Sequence, residues 1–157
     1  MSSRQKNFTQ SELSSGEPVF LLDITWGNRT YYVSSRTVRV PTDQNAYIDY
    51  NGSIQDFNFI ESMDISGTEI ETNILSCAVL FDVDPMEQLS KGNPLEGSSA
   101  IFSYVVNKAG EITKYQNRVI LLTGKIQEPQ YSDPLETTGF VSFSVEQEIA
   151  GNDPILD

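Results

Sequence analysis

Apolar and polar residues alternate through most of the chain. In "FLLDITW", Phe20, Leu22, Ile24 and Trp26 share one face of an extended strand, and Asp23 and Thr25 take the other. Gly27 and Asn28 follow, then "RTYYVS" resumes the alternation, which predicts a hairpin turning at the Gly-Asn pair. Further extended runs come at "RTVRV", "AYIDY", "SIQDFNFI", "EIETNILSCAVLF", "AIFSYVVN", "EITKY", "RVILLTGKI" and "GFVSFSVEQE", divided by Gly, Pro, Asn or Asp. Short strands at this spacing predict an all-β fold, a small antiparallel barrel or sandwich.

Two segments depart from simple alternation. In "EIETNILSCAVLF" the apolar positions are Ile70 and Ile74, then Leu75, Cys77, Val79 and Phe81, a change of parity that predicts a bulge near Ile74 and Leu75. In "DPMEQLSKG", Asp84 is placed as N-cap, Pro85 at the first helical position, Glu87 at the capping-box position and Gly92 beyond the end. This predicts one short helix of about two turns, with Met86 and Leu89 on one side, covering an end of the barrel.

The polar, Ser-rich stretch 1–17 reads as an N-terminal arm, 18–148 as a single β-domain and 149–157 as a tail or linker. A length of 157 residues suits one core. Ten basic against 22 acidic side chains give a formal net charge of -12, the wrong sign for phosphate backbones or anionic lipid, so neither nucleic acid nor membrane is expected as a partner. The charge either keeps the chain soluble or complements a basic face elsewhere.

The sequence contains no histidine, which removes the commonest general base near neutral pH and the commonest zinc ligand together. Its single cysteine, Cys77, lies in an apolar run and reads as a core residue. The first residues show no apolar stretch of signal-peptide type, and nowhere do roughly 18 apolar residues run together; a soluble protein made in a cytoplasm is the expectation. Asn-x-Ser/Thr matches at Asn7, Asn28 and Asn51 carry little weight without an export signal.

Candidate chemistry is sparse. Asp82 and Asp84 in "FDVDP" could approach a hard cation from one side of a strand, but two ligands are too few, and a helix cap beside a solvated acid is the simpler reading. Asp64, Glu69 and Glu71 could supply a glycosidase carboxylate pair, a weak signal in so acidic a chain. "SSG", "EGSSA" and "LTGK" match neither a nucleophile elbow nor a phosphate loop. No enzyme, cofactor or metal site is therefore expected.

Trp26, Tyr31, Tyr32, Tyr47 and Tyr50 could form a stacking or protein-contact platform, although Trp26 shares the face of Phe20, Leu22 and Ile24 and reads as core. Tyr31 and Tyr32 must point to opposite faces, leaving one for a surface contact. The loops "QNAYIDYNGS", "SKGNPLEGSS" and "EPQYSDPLETTG" are contact candidates because loops on rigid barrels carry function. The candidate partner-contact residues are Tyr31, Tyr47, Tyr50, Asn93, Tyr131 and Asp133.

The order of the pieces is informative. The opening "VFLLDITWGNRTYYVSS", the middle "YNGSIQDFNFIESMDISGTEIETNILSCAVLF", then "AIFSYVV" and the closing "RVILLTGKIQEPQY...FVSFSVEQE" together resemble the N-terminal barrel region of phage tail baseplate hub proteins, over roughly Pro18 to Glu148. The most telling part is the closing hairpin, with a strand ending at Gly124, the step "KIQEP" and a loop into a Phe/Val strand. The resemblance implies a structural virion component of the tail tip or baseplate, made in the host cytoplasm. It implies contacts with copies of itself in a ring and with adjacent distal-tail, tail-tube or spike proteins. Hubs generally carry further domains, so the short chain fits either a reduced hub or a separate small tail-tip subunit. The reading from the residues alone leaves an alternative, a carbohydrate-binding β-sandwich for host recognition, with Tyr31, Tyr47 or Tyr50 as platform and Asp82 with Asp84 as a calcium site.

Overall fold

The computed structural model describes residues 16–63, 71–131 and 140–147. These residues form ten strands in chain order: β1 (Glu17–Trp26), β2 (Arg29–Ser34), β3 (Val38–Pro41), β4 (Tyr47–Tyr50), β5 (Ile54–Met63), β6 (Glu71–Leu80), β7 (Ser99–Lys108), β8 (Glu111–Ile112), β9 (Val119–Tyr131) and β10 (Phe140–Gln147). A six-residue helix, α1 (Pro85–Ser90), lies between β6 and β7, and a 3-10 turn at Tyr115–Asn117 precedes β9. The fold is all-β and antiparallel, as the alternation predicts.

The main sheet runs β2-β1-β7-β9-β10-β6-β5, with β8 paired to β7. It curls into a half-barrel. Leu22, Ile24 and Trp26 from β1 bury against Phe102 from β7, Leu122 and Ile126 from β9, Val141, Phe143 and Val145 from β10, and Leu75, Cys77 and Val79 from β6. Each such side chain removed from water contributes about 1.5–3 kcal/mol, and strands of period two place them all on the inner face. Curling brings β5, at one end of the sheet, against β1, next to the other: the Phe20 ring on β1 lies 5.1 Å from the Phe57 ring on β5.

A second layer covers part of the outer face. The β3–β4 hairpin lays Val38, Val40 and Tyr50 over Val19 and Leu21 of β1 and Val105 of β7, with Ile112 and Tyr115 at the margin. β1 is therefore buried on both faces, so its odd-numbered residues Val19, Leu21 and Asp23 are as inaccessible as its even-numbered ones.

The helix forms where the capping signals put it. Asp84 accepts from the Met86 N–H at 3.1 Å, and Pro85 opens the helix. Its six residues make about two turns, as expected, but Met86 and Leu89 face solvent rather than covering the end of the barrel. The end of the half-barrel is closed by the segment after it, where Leu95 is fully buried and the Asn93 carbonyl accepts the Trp26 indole N–H at 3.0 Å.

Three strand expectations need correction. No register shift occurs at Ile74 and Leu75, where β6 pairs regularly with both neighbours. Ile74 stays on the outer face opposite Ile60, and only the residues from Leu75 onward line the core. The irregularities fall instead at Ile54/Asp56, Phe102/Ser103 and Ser142/Ser144. Likewise β9 does not end at Gly124 but continues to Tyr131: in "KIQEP", Lys125, Ile126 and Gln127 stay in register with β10 and the bulge falls at Glu128 and Pro129, where Ser142 pairs with Gln130 and Ser144 with Gln127 and Glu128 has φ 52°. Gly124 is required by closeness of the next strand, since a Cβ there would collide with the Glu146 carbonyl oxygen. "EITKY" is extended only over Glu111–Ile112 before the 3-10 turn takes over.

Candidate functional site: an open seam

The half-barrel has a seam where β2 and β1 face β5 and β6 without a continuous hydrogen-bond ladder. At the helix-capped end, Arg29 Nη2 meets Asp82 Oδ2 at 3.0 Å across it, and the Arg29 guanidinium rests 4.1 Å from the Tyr31 ring centre. Both charges are exposed, so the pair adds little stability. In the middle, the chain between β4 and β5 crosses the seam. Ser34 N–H donates to the Asn51 carbonyl at 2.8 Å, Asn51 N–H to the Tyr32 carbonyl at 3.0 Å, and Leu80 N–H to the Ser53 carbonyl at 3.0 Å. Gly52 in this crossing lies so close to Thr37 and Arg36 that a Cβ would sit 2.6 Å from the Thr37 nitrogen. Toward the opposite end, among the described residues, the seam is held by aromatic rings, Phe20 on Phe57 and both on Phe102.

Beyond that crossing the backbone is open. Among the described residues β5 pairs with β6 only, so ten residues offer one side of their N–H and C=O groups. β1 below Leu21 likewise loses β2, and Phe20 is satisfied there by Ser35, whose N–H and Oγ both bond to it. On the outer face beside the open edge, Ile60 is 48% exposed, paired with Ile74. Edges of this length are ordinarily blunted by Lys, Pro or a covering element; β5, "IQDFNFIESM", contains neither residue.

Two clefts flank Arg29. One of about 200 Å³ lies in the seam, lined in part by Tyr31, Asn51, Phe81 and Asp82. The other, about 470 Å³, lies over the capped end between Trp26, Arg29, Tyr31, Gln88 and Asn93. Tyr31 and Asn93, named from sequence as contact candidates, thus line one cleft, and Tyr131 lies near the same end against the Leu95 backbone. Tyr31 is half-buried, its ring edge-on to Phe81 and tilted against Trp26. Tyr32 points to the other face and packs edge-on against Tyr50. Tyr47 is exposed on the hairpin, within 5.3 Å of the Arg39 guanidinium. Asp133 lies outside the described residues.

Tyr50 requires the plainest correction. It is fully buried beneath the hairpin and offers no surface to a partner or a sugar. Its hydroxyl donates to Asp23 Oδ1 at 2.6 Å, while the Tyr115 hydroxyl donates to Asp23 Oδ2 at 2.8 Å. The Arg118 guanidinium stacks 3.9 Å from the Tyr115 ring centre, with Nη2 3.9 Å from Asp23 Oδ2. Burial holds the Asp23 carboxyl above the usual carboxylate range, against the opposing pull of the two phenols and Arg118. Burial and the bond to Asp23 push the Tyr115 phenol up to about 12. This cluster fastens the hairpin and the 3-10 turn onto β1. The sequence held one sign of it: Val19 and Leu21, on the face of Asp23, are apolar, marking that face as buried too.

The stacking platform of Tyr31, Tyr47 and Tyr50 is therefore not assembled, and the proposed calcium ligands are otherwise engaged, Asp82 by Arg29 and Asp84 by the helix N-terminus. Among the described residues no group of three or more Cys, Asp or Glu side chains could hold a metal ion. Asp64 and Glu69 lie outside those residues, and the Glu71 side chain is likewise undescribed. Cys77 is buried, its thiol pushed up to about 12 by burial. No protein-family model matches the chain, and no curated protein matches it in sequence.

Proposed function

We propose that the chain is a structural component of a phage tail tip or baseplate, hub-like in its β-domain, which assembles by self-association and by contacts to adjacent distal-tail, tail-tube or spike proteins. The observation that carries this reading is the β5 edge: among the described residues its ten residues of backbone have no partner beyond β6, and the strand contains no gatekeeping Lys or Pro. A half-barrel with so long an unpaired edge, blunted only by Asp56, Glu61 and the bulge at Ile54/Asp56, is a hazard for a free protein and an asset for a subunit whose neighbour completes it. The resemblance in order of pieces, from Pro18 to Glu148, supplies the virion setting.

The reading is tested on particles. Antibody raised against the chain is expected to label the distal end of intact tails, and mass spectrometry of purified virions to recover its peptides. Absence from purified virions would refute it.

A further inference from the structure

The β5 edge has a particular occupant in reach, and this inference rests on the assembly reading above. We propose that residues 1–15 of a second copy add to the free edge of β5 as an extended strand, so that each subunit lends its N-terminal segment to its neighbour.

Three observations converge. The first is the edge itself, about 33 Å of open backbone over ten residues, with Ile60 exposed beside it where a side chain from an added strand would cover it. Main-chain pairing of this kind supplies affinity, and alternate side chains supply selectivity. The second is charge. The two charged residues of β5, Asp56 and Glu61, are both acidic, and the chain as a whole carries -12. Residues 1–15 hold two bases, Arg4 and Lys6, toward their start and one acid, Glu12, nearer the domain. A β5 edge paired with its own copy would set acid near acid, whereas residues 1–10 bring bases and one aromatic, Phe8. The third is reach. Fifteen extended residues span about 50 Å, more than the length of β5, and they join the domain at Gly16, which is anchored against β7: a Cβ there would lie 2.5 Å from the Asn107 carbonyl oxygen. A segment rooted at a fixed point and longer than the edge it serves can cross to a neighbour.

The test uses two full-length chains mixed in equal amounts, one carrying Phe8→Cys and the other Asn58→Cys, under mild air oxidation; the native Cys77 is buried and silent. Asn58 lies in the middle of β5. The expected result is that the mixed disulfide, read by mass spectrometry without reductant, dominates, and that it is lost when Arg4→Glu and Lys6→Glu are added to the Phe8→Cys chain. A predominance of Asn58→Cys homodimers would overturn the proposal in favour of β5 pairing with itself. A disulfide formed only when both cysteines are in one chain would overturn it in favour of a chain covering its own edge. Light scattering on the same mixture separates the two levels: assembled species without a mixed disulfide refute this strand exchange alone, and a monomer throughout refutes the assembly reading as well.

Discussion

Tyr50 on the outer hairpin donates its phenol proton to Asp23 of the central strand at 2.6 Å, and that one bond joins the two layers of the protein through a buried acid. Tyr50→Phe keeps the ring against Tyr32 and Val38 and removes only the donor. A hydrogen bond to a buried charged group is worth about 1.5–3 kcal/mol, so denaturant unfolding should show a loss of that size. A change within error would mean that Asp23 is satisfied by Tyr115 alone.

The same acid sets a pH dependence. The folded carboxyl of Asp23 lies above its unfolded value, so the native state binds this proton more tightly than the unfolded chain. Its contribution to stability is then fully present below the unfolded carboxylate range and is lost as pH rises through the folded value. Measured as the difference between wild type and Asp23→Asn, stability should fall across that window and level off above it. A difference that rises with pH would show that the two phenols and Arg118 outweigh burial.

Gly124 tests the closing hairpin. Gly124→Ala drives a methyl into the Glu146 carbonyl oxygen, between β9 and β10, and a well-packed site resists such an insertion at a cost of about 1–3 kcal/mol or more. Thermal melting should report a clear drop in Tm. An unchanged Tm would mean that the two strands separate there at no cost.

Calcium should do nothing to the folded domain. Asp82 faces Arg29 and Asp84 caps α1, so millimolar calcium or a chelator is expected to leave Tm unchanged. A calcium-dependent rise would revive the carbohydrate-binding alternative. Cys77 gives a parallel check on the core: at pH 8 a thiol reagent should react only at the rate of global unfolding, and prompt labelling would place the thiol outside the half-barrel.

The inner face of the fold was legible because β-structure writes its buried side at every second residue. Phe20, Leu22, Ile24 and Trp26 read correctly, as did the turn at Gly27 and Asn28 and the cap at Asp84. The second layer left only one trace in the sequence, the apolar Val19 and Leu21 on the face of Asp23. Asp23 looked like a solvated residue of an amphipathic strand, since alternation does not say what lies above the polar face, and Tyr50 looked like a loop aromatic for the same reason. The parity change at Ile74 was misread as a bulge because an apolar residue can also sit on the outer face opposite another, here Ile60. The open seam was the least legible feature, since it depends on which strands meet when the sheet curls, and local pattern carries no record of that.

The central claim, that this half-barrel exists to be completed by neighbours, is tested most directly by the solution mass of the purified chain over a range of concentrations, alone and mixed with phage tail proteins. The account predicts a closed assembly at a multiple of 17.5 kDa, or a defined complex with a tail protein. A species of 17.5 kDa at every concentration, indifferent to every tail protein, would contradict it.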